Sequence, residues 1–256
     1  MNQSTSADVV LEAQHVSVTY GEGSLAVHAL SDASFHVRRG EVVVIMGPSG
    51  SGKTTLLSAL GLLLTPSSGR ILLNGQDLGR ASATARANAR LQQIGFVFQQ
   101  FNLLASLTAT DNVALPMLLA GVATDERTRR AREVLAHVEM LDRALAKPRA
   151  LSGGQQQRVA IARALANAAP VLLCDEPTAA LDSTTGASIL NTLRTLAARA
   201  RQAVVIVTHD ARVLSIADRV YEVTDGRVSE APVSAKERSP RSSHADDEEL
   251  LERRAR

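Results

Sequence analysis

The stretch Gly47-Pro48-Ser49-Gly50-Ser51-Gly52-Lys53-Thr54, followed by Thr55, carries the most explicit chemistry in the chain. It reads G-x-x-x-x-G-K-T, the pattern of a phosphate-binding loop. Its glycines let the backbone turn tightly and aim successive N–H groups at phosphate oxygens. A helix starting at the loop turns the positive end of its dipole toward the same anion. In such a loop Lys53 reaches the β- and γ-phosphates and the Thr54 hydroxyl is a ligand of Mg²⁺. The loop says that a nucleotide binds, and not what the nucleotide is used for.

Two further clusters could act beside it. Val171-Leu172-Leu173-Cys174 is an apolar run ending in Asp175-Glu176. Carboxylates at a strand end suit a metal site next to a phosphate loop: Asp175 would hold Mg²⁺ through its water shell, and Glu176 would polarise the attacking water. The other cluster is Leu151-Ser152-Gly153-Gly154-Gln155 ahead of an apolar-striped run to Leu165. Ser152 can cap that helix, and two glycines at a helix N-terminus make a second anion site. Alone, this cluster is equally well an ordinary helix entry.

The elements that must position these groups follow from periodicity. Val42 to Met46 is a buried strand before the loop, and Leu56 to Leu64 an apolar helix after it, ending in the breakers Thr65 to Gly69. Val9 to Tyr20 and Ala29 to Val37 read as strands, and Ile71-Leu72-Leu73 as a short strand entering an Asn74-Gly75 turn. Ala81 to Gln93 reads as helix and Ile94 to Phe98 as strand. A mostly helical region follows, about residues 102–165, with Pro116 as a kink or boundary. Within it Thr124-Asp125-Glu126 opens a helix whose apolar face is Val134, Leu135, Val138 and Leu141. Its arginines, at 127, 129, 130 and 132, form a solvated face. Val171 to Cys174 and Val204 to Val207 read as central parallel strands around a helix at Ser183 to Ala200. Val220 to Val223 and Arg227 to Ser229 close a hairpin.

Composition narrows the class. With 256 residues, 45% hydrophobic and 21% charged, the chain suits one globular α/β domain. A net charge of +2, 2% aromatics and no Trp argue against nucleic acid. A single cysteine, Cys174, excludes an internal disulfide and reads as an inert buried thiol. The N-terminus lacks the pattern of a signal peptide, and no apolar run approaches the roughly 20 residues that span a bilayer. The chain is therefore expected to meet a membrane only through a partner.

Leu151 to Leu165 matches in full the signature motif of ATP-binding cassette (ABC) ATPases, and the chain resembles that family over about residues 9–229. The resemblance implies an α/β fold: a P-loop NTPase core with a mostly parallel sheet, an N-terminal antiparallel β subdomain and a helical signature subdomain at about 102–165. Residues 1–8 and the charged tail, 230–256, are expected to be disordered. By the same resemblance Gln99 contacts Mg²⁺ or the attacking water, and His209 contacts the γ-phosphate. Asp182 crosses a dimer interface, and Tyr20 stacks on adenine. The implied assembly is a head-to-tail homodimer with two ATP molecules sandwiched between subunits. Each ATP sits on Lys53, Thr54 and the loop amides of one chain, and the Ser152, Gly153, Gly154, Gln155 turn of the other chain closes on it.

Gly47 to Lys53, Gly95 to Leu104, Ala114-Leu115-Pro116 and Gln155-Gln156-Gln157 resemble the ATPases of lipoprotein-releasing and macrolide-exporter systems, and the cell-division branch is similar. Pro177-Thr178-Ala179-Ala180-Leu181-Asp182 departs from that group's usual Pro-Thr-Gly-Asn-Leu-Asp. The expected partner is a permease-type membrane subunit with four spans, which places the chain on the cytoplasmic face of the membrane. A second reading is a soluble ABC ATPase acting on nucleic acid or ribosomes. The small charge, few aromatics, single cassette and lack of a long coiled-coil insertion count against it. A P-loop kinase is a third, opposed by the complete signature segment.

Overall fold

The computed structural model describes residues 8–232. The expectations for residues 1–7 and for 233–256 fall outside the described residues.

Two sheets make the frame. The first is antiparallel, in the order β2-β1-β4-β5. It is built from β1 (Val9–Tyr20), β2 (Val27–Arg38), β4 (Ser68–Leu73) and β5 (Gln76–Asp77). Asn74 and Gly75 turn β4 into β5 with φ of 49° and 79°, the left-handed pair that a two-residue hairpin needs. The second sheet runs β10-β9-β3-β8-β7-β6. Its strands are β3 (Val42–Met46), β6 (Ile94–Val97), β7 (Val171–Asp175), β8 (Ala203–Val207), β9 (Arg219–Thr224) and β10 (Arg227–Ala231). From β9 to β6 every pairing is parallel, and only the β9–β10 hairpin is antiparallel.

The central strands are apolar on both faces because both are covered. On β3, Val42 and Val44 join one core, and Val43 and Ile45 the other. One core lies under α1 (Lys53–Leu60) and the antiparallel sheet. The other lies under α3 (Ala109–Leu119), α4 (Thr124–His137), α5 (Gly153–Leu165) and α6 (Ser183–Ala200). α2 (Ala83–Gln93) packs by β6, its start capped by Ser82. Cys174 faces the α3–α6 core. Burial, then the charge of Asp175, pushes its thiol pKa up, so it stays protonated.

Several boundaries differ from the sequence expectation. α1 begins at Lys53 and stops at Leu60 rather than running on to Leu64. The helix ends on the left-handed Leu62, with a φ of 56°, and Leu63 N–H reaches back to Ser58 O at 2.9 Å. Pro116 lies inside α3, which continues to Leu119. α4 is capped by Ala123, so Thr124 is its first residue and not its cap. Leu141 lies past the end of α4 and is 43% exposed, so it does not extend the apolar face. Arg129 does lie on a solvated side, bridging Glu126 and Glu133. Strand β10 runs on to Ala231, with Glu230 paired to Tyr221.

Candidate active site

Parallel order brings the candidate groups to one edge of the sheet. β3 leads into the phosphate loop, β8 into Thr208-His209, β7 into Glu176 and β6 toward Gln99. These four strands are consecutive neighbours, and their register pairs Ile45 with Val207, Val207 with Asp175, and Cys174 with Val97. Ligands of parallel α/β sheets bind at this carboxyl edge.

The loop is shaped by what packs behind it. A Cβ at Gly47 would lie 2.2 Å from the Val223 carbonyl oxygen, and one at Gly52 would lie 2.5 Å from that of Ala29. Both have positive φ, 152° and 108°, so glycine is required twice over. Gly50 also has positive φ, but open space beside it. Pro48 and Ser49 are exposed at the mouth of the loop. The turn between β9 and β10 holds the loop from below, with Gly226 N–H donating to Ser51 O at 3.0 Å. Lys53 Nζ spans the loop, donating to Gly47 O at 2.9 Å and Pro48 O at 2.8 Å. Ser51 Oγ is buried with no hydrogen-bond partner among the described residues. Thr54 is exposed at the start of α1, and Thr55 is half-buried behind it.

Glu176 is tightly held. Its side chain is 12% exposed. Thr208 Oγ1 donates to Oε2 at 2.8 Å, His209 N–H to Oε1 at 3.1 Å, and the His209 Nδ1 lies 2.6 Å from Oε1. Its backbone has a left-handed φ of 47°, a conformation uncommon for residues other than glycine. Asp175, next to it, has its carboxyl pushed above the ordinary range by burial first and by the charge of Glu176 second, while Lys53 pulls the other way. The Thr54 hydroxyl, the Asp175 carboxylate and the Gln99 side-chain oxygen are the hard donors Mg²⁺ takes, and a divalent cation would relieve Asp175. Among the described residues no cluster of three or more His, Cys, Asp or Glu could hold a metal by itself. A cation here needs phosphate oxygens to complete its shell.

The remaining candidates stand elsewhere. Tyr20 ends β1 in the other sheet and is 47% exposed, free to present its ring. Gln99 is exposed beyond β6. Ser152 caps α5 in a reciprocal box: Gln155 N–H donates to Ser152 Oγ, and Ser152 N–H to Gln155 Oε1. A Cβ on Gly154 would come 2.3 Å from Thr185 Cγ2 of α6, so that glycine serves helix packing. Gly153 has no such close neighbour. Asp182 caps α6 through Thr184 and Thr185 N–H groups, and these bonds lower its pKa. None of the described hydrogen bonds of Ser152, Gln155 or Asp182 reaches the phosphate loop.

Sequence reasoning passed over the groups behind Glu176. Thr208 is fully buried, and its hydroxyl accepts from Asp210 N–H while donating to Glu176. Thr178 Oγ1 donates to Asp210 Oδ2 at 3.1 Å. A polar residue at the end of the all-buried β8 was the available signal.

The family model described as ABC transporter matches residues 30–179. An uncharacterized ABC transporter ATP-binding protein of Thermotoga maritima is 47% identical over 86% of this chain and 93% of its own length. The macrolide export ATP-binding/permease protein MacB of Vibrio parahaemolyticus is 43% identical over 87% of this chain. The chain spans 34% of that protein's length. A solved dimer of the ATP-binding cassette MJ0796, in a post-hydrolysis state bound to ADP and Pi, is 41% identical with a TM-score of 0.81, covering 88% of this chain and 99% of its own. With the loop, the paired carboxylates and the signature turn on the matching fold, the chain belongs to the ATPase family of ABC transporters.

Proposed function

We propose that this chain is the motor of a membrane ABC system, binding MgATP at the sheet edge, dimerising head to tail around it and hydrolysing it with Glu176. The observation that carries this is the seating of Glu176, with Thr208, His209 and the neighbouring strand β8 fixing its carboxylate beside the phosphate loop. Lys53 and the loop amides bind the phosphates. Glu176 orients the attacking water and takes up its proton, and His209 stands between that carboxylate and the γ-phosphate. Mg²⁺, held by Thr54, Asp175 and Gln99, would neutralise charge developing on the phosphates. Tyr20 stacks on the adenine ring. A lone loop leaves the outer face of the γ-phosphate wet. The turn Ser152 to Gln155 of the partner subunit supplies a second helix N-terminus there and excludes water.

Among the described residues no helix is long and apolar enough to cross a membrane. In the proposed reading the chain works at the cytoplasmic face and supplies force to a permease-type partner with four spans. The macrolide-export relatives, which carry both activities in their name, support this over the nucleic-acid reading. Lys53→Ala should weaken ATP binding by at least about tenfold, and an unchanged affinity in a direct titration would take Lys53 out of the site. The partner is tested by pull-down from detergent-solubilised native membranes with Glu176→Gln and ATP. Recovery of a four-span membrane protein is expected. Recovery of ribosomes or nucleic acid alone overturns the membrane assignment and leaves the ATPase standing.

A further inference from the structure

One fully buried side chain joins the signature helix to the backbone one residue past the proposed catalytic carboxylate. Gln157 is on the second turn of α5, past the Ser152 cap, with no exposed surface. Its Nε2 donates to the carbonyl of Pro177 at 2.8 Å. Pro177 directly follows Glu176, whose left-handed backbone is held from both sides. On one side Glu176 N–H donates to Val207 O at 2.8 Å. On the other, Ala179 N–H reaches Glu176 O at 3.2 Å, Thr178 is tied to Asp210, and Gln157 holds the Pro177 carbonyl.

We propose that Gln157 is a positioning residue for Glu176, fixing the Pro177 carbonyl one residue past it and linking the carboxylate's place to the second turn of α5. The inference rests on the reading of Glu176 as the group that orients water. Gln157 itself touches no nucleotide in that reading. A displacement of the carboxylate by a fraction of an ångström is enough to slow the chemical step while leaving ground-state binding alone.

The buried amide also makes the test clean. Among the described residues Gln157 Oε1 has no donor. Gln157→Met, close in volume, removes that orphaned acceptor and creates another at Pro177 O, so the two burial costs oppose each other. Steady-state hydrolysis by the full chain should show kcat lowered about tenfold with KM for MgATP within about twofold. The thermal midpoint should stay within about 3 °C of wild type. A second variant supplies a reading that mere packing does not move. In Gln157→Glu the protonated carboxyl can donate to Pro177 O and the ionised one cannot, and burial favours the protonated form. Its kcat relative to wild type should therefore rise as pH falls. Turnover of Gln157→Met within about twofold of wild type overturns the proposal. So does a Gln157→Glu deficit that is constant with pH, which decides the matter if the Met variant does not fold. Glu176→Gln in the same assay separates the failures. If that variant turns over, the reading of Glu176 falls and takes the inference with it. If it is dead while Gln157→Met matches wild type, only the inference falls.

Discussion

At the scale of single residues, Asp175 is a carboxylate kept for function against stability. Its pKa is raised in the folded chain by burial and by Glu176, so at neutral pH its charge favours the unfolded state. Asp175→Asn should therefore raise the thermal midpoint of the nucleotide-free protein at pH 7. The gain should shrink as pH falls through the raised pKa and vanish below the ordinary aspartate value of about 3.9, where both states are protonated. A midpoint lowered at pH 7 would show that burial does not burden this group. Asp210 has the opposite sign. Arg212 first, with further hydrogen bonds, holds its carboxyl below the ordinary range, so its contribution is complete above that range and is lost as pH falls through the depressed value. Thr208 tests the seat of Glu176. Thr208→Val should lower kcat about tenfold with ATP affinity unchanged, and equal kcat would mean that the hydroxyl does not position the carboxylate. The positions of the residues proposed to react were legible in the sequence because each follows a buried run: Lys53 after Val42 to Met46, Glu176 after Val171 to Asp175, His209 after Ala203 to Val207. Thr208 and Gln157 were not, because a threonine at a strand end and a glutamine in a helix carry no spacing that marks a buried donor.

Among the elements, α5 and α6 are set by a contact that only small atoms permit. Gly154→Ala should push its methyl into Thr185 Cγ2 and destabilise the chain by about 1–3 kcal/mol. Adding Thr185→Ser, which deletes that methyl, should recover most of the loss. If denaturation shows no recovery, the glycine is needed for something other than the α5–α6 approach. The strands were largely legible, since β1 matches its expected span and the parallel core reads as continuous apolar runs, and the long helix α6 also matches. Helix ends were less so. Leu62 to Leu64 are as apolar as the helix before them, and what ends α1 is the left-handed turn at Leu62, which no apolar spacing marks. Leu141 kept the helical spacing of Val134 and Val138 but lies beyond the point where α4 has already unwound. The glycine roles at Gly47, Gly52 and Gly154 are tertiary: the motif marks the residues, and the carbonyls or methyl that forbid a Cβ come from β9, β2 and α6.

For the whole molecule, the nucleotide groups divide into two sets. The loop, Asp175, Glu176, Gln99 and His209 share one sheet edge, while the described bonds of the signature turn and Asp182 stay within their own neighbourhood. In the proposed assembly one chain presents half of each of two sites, and ATP is what makes two chains fit. The direct measurement is the mass of Glu176→Gln in solution, by light scattering with and without MgATP. The account predicts a shift from the 27.1 kDa of one chain to twice that mass only with MgATP, and return to one chain when the nucleotide is removed. A variant that binds ATP by titration yet stays at the mass of a single chain would contradict it.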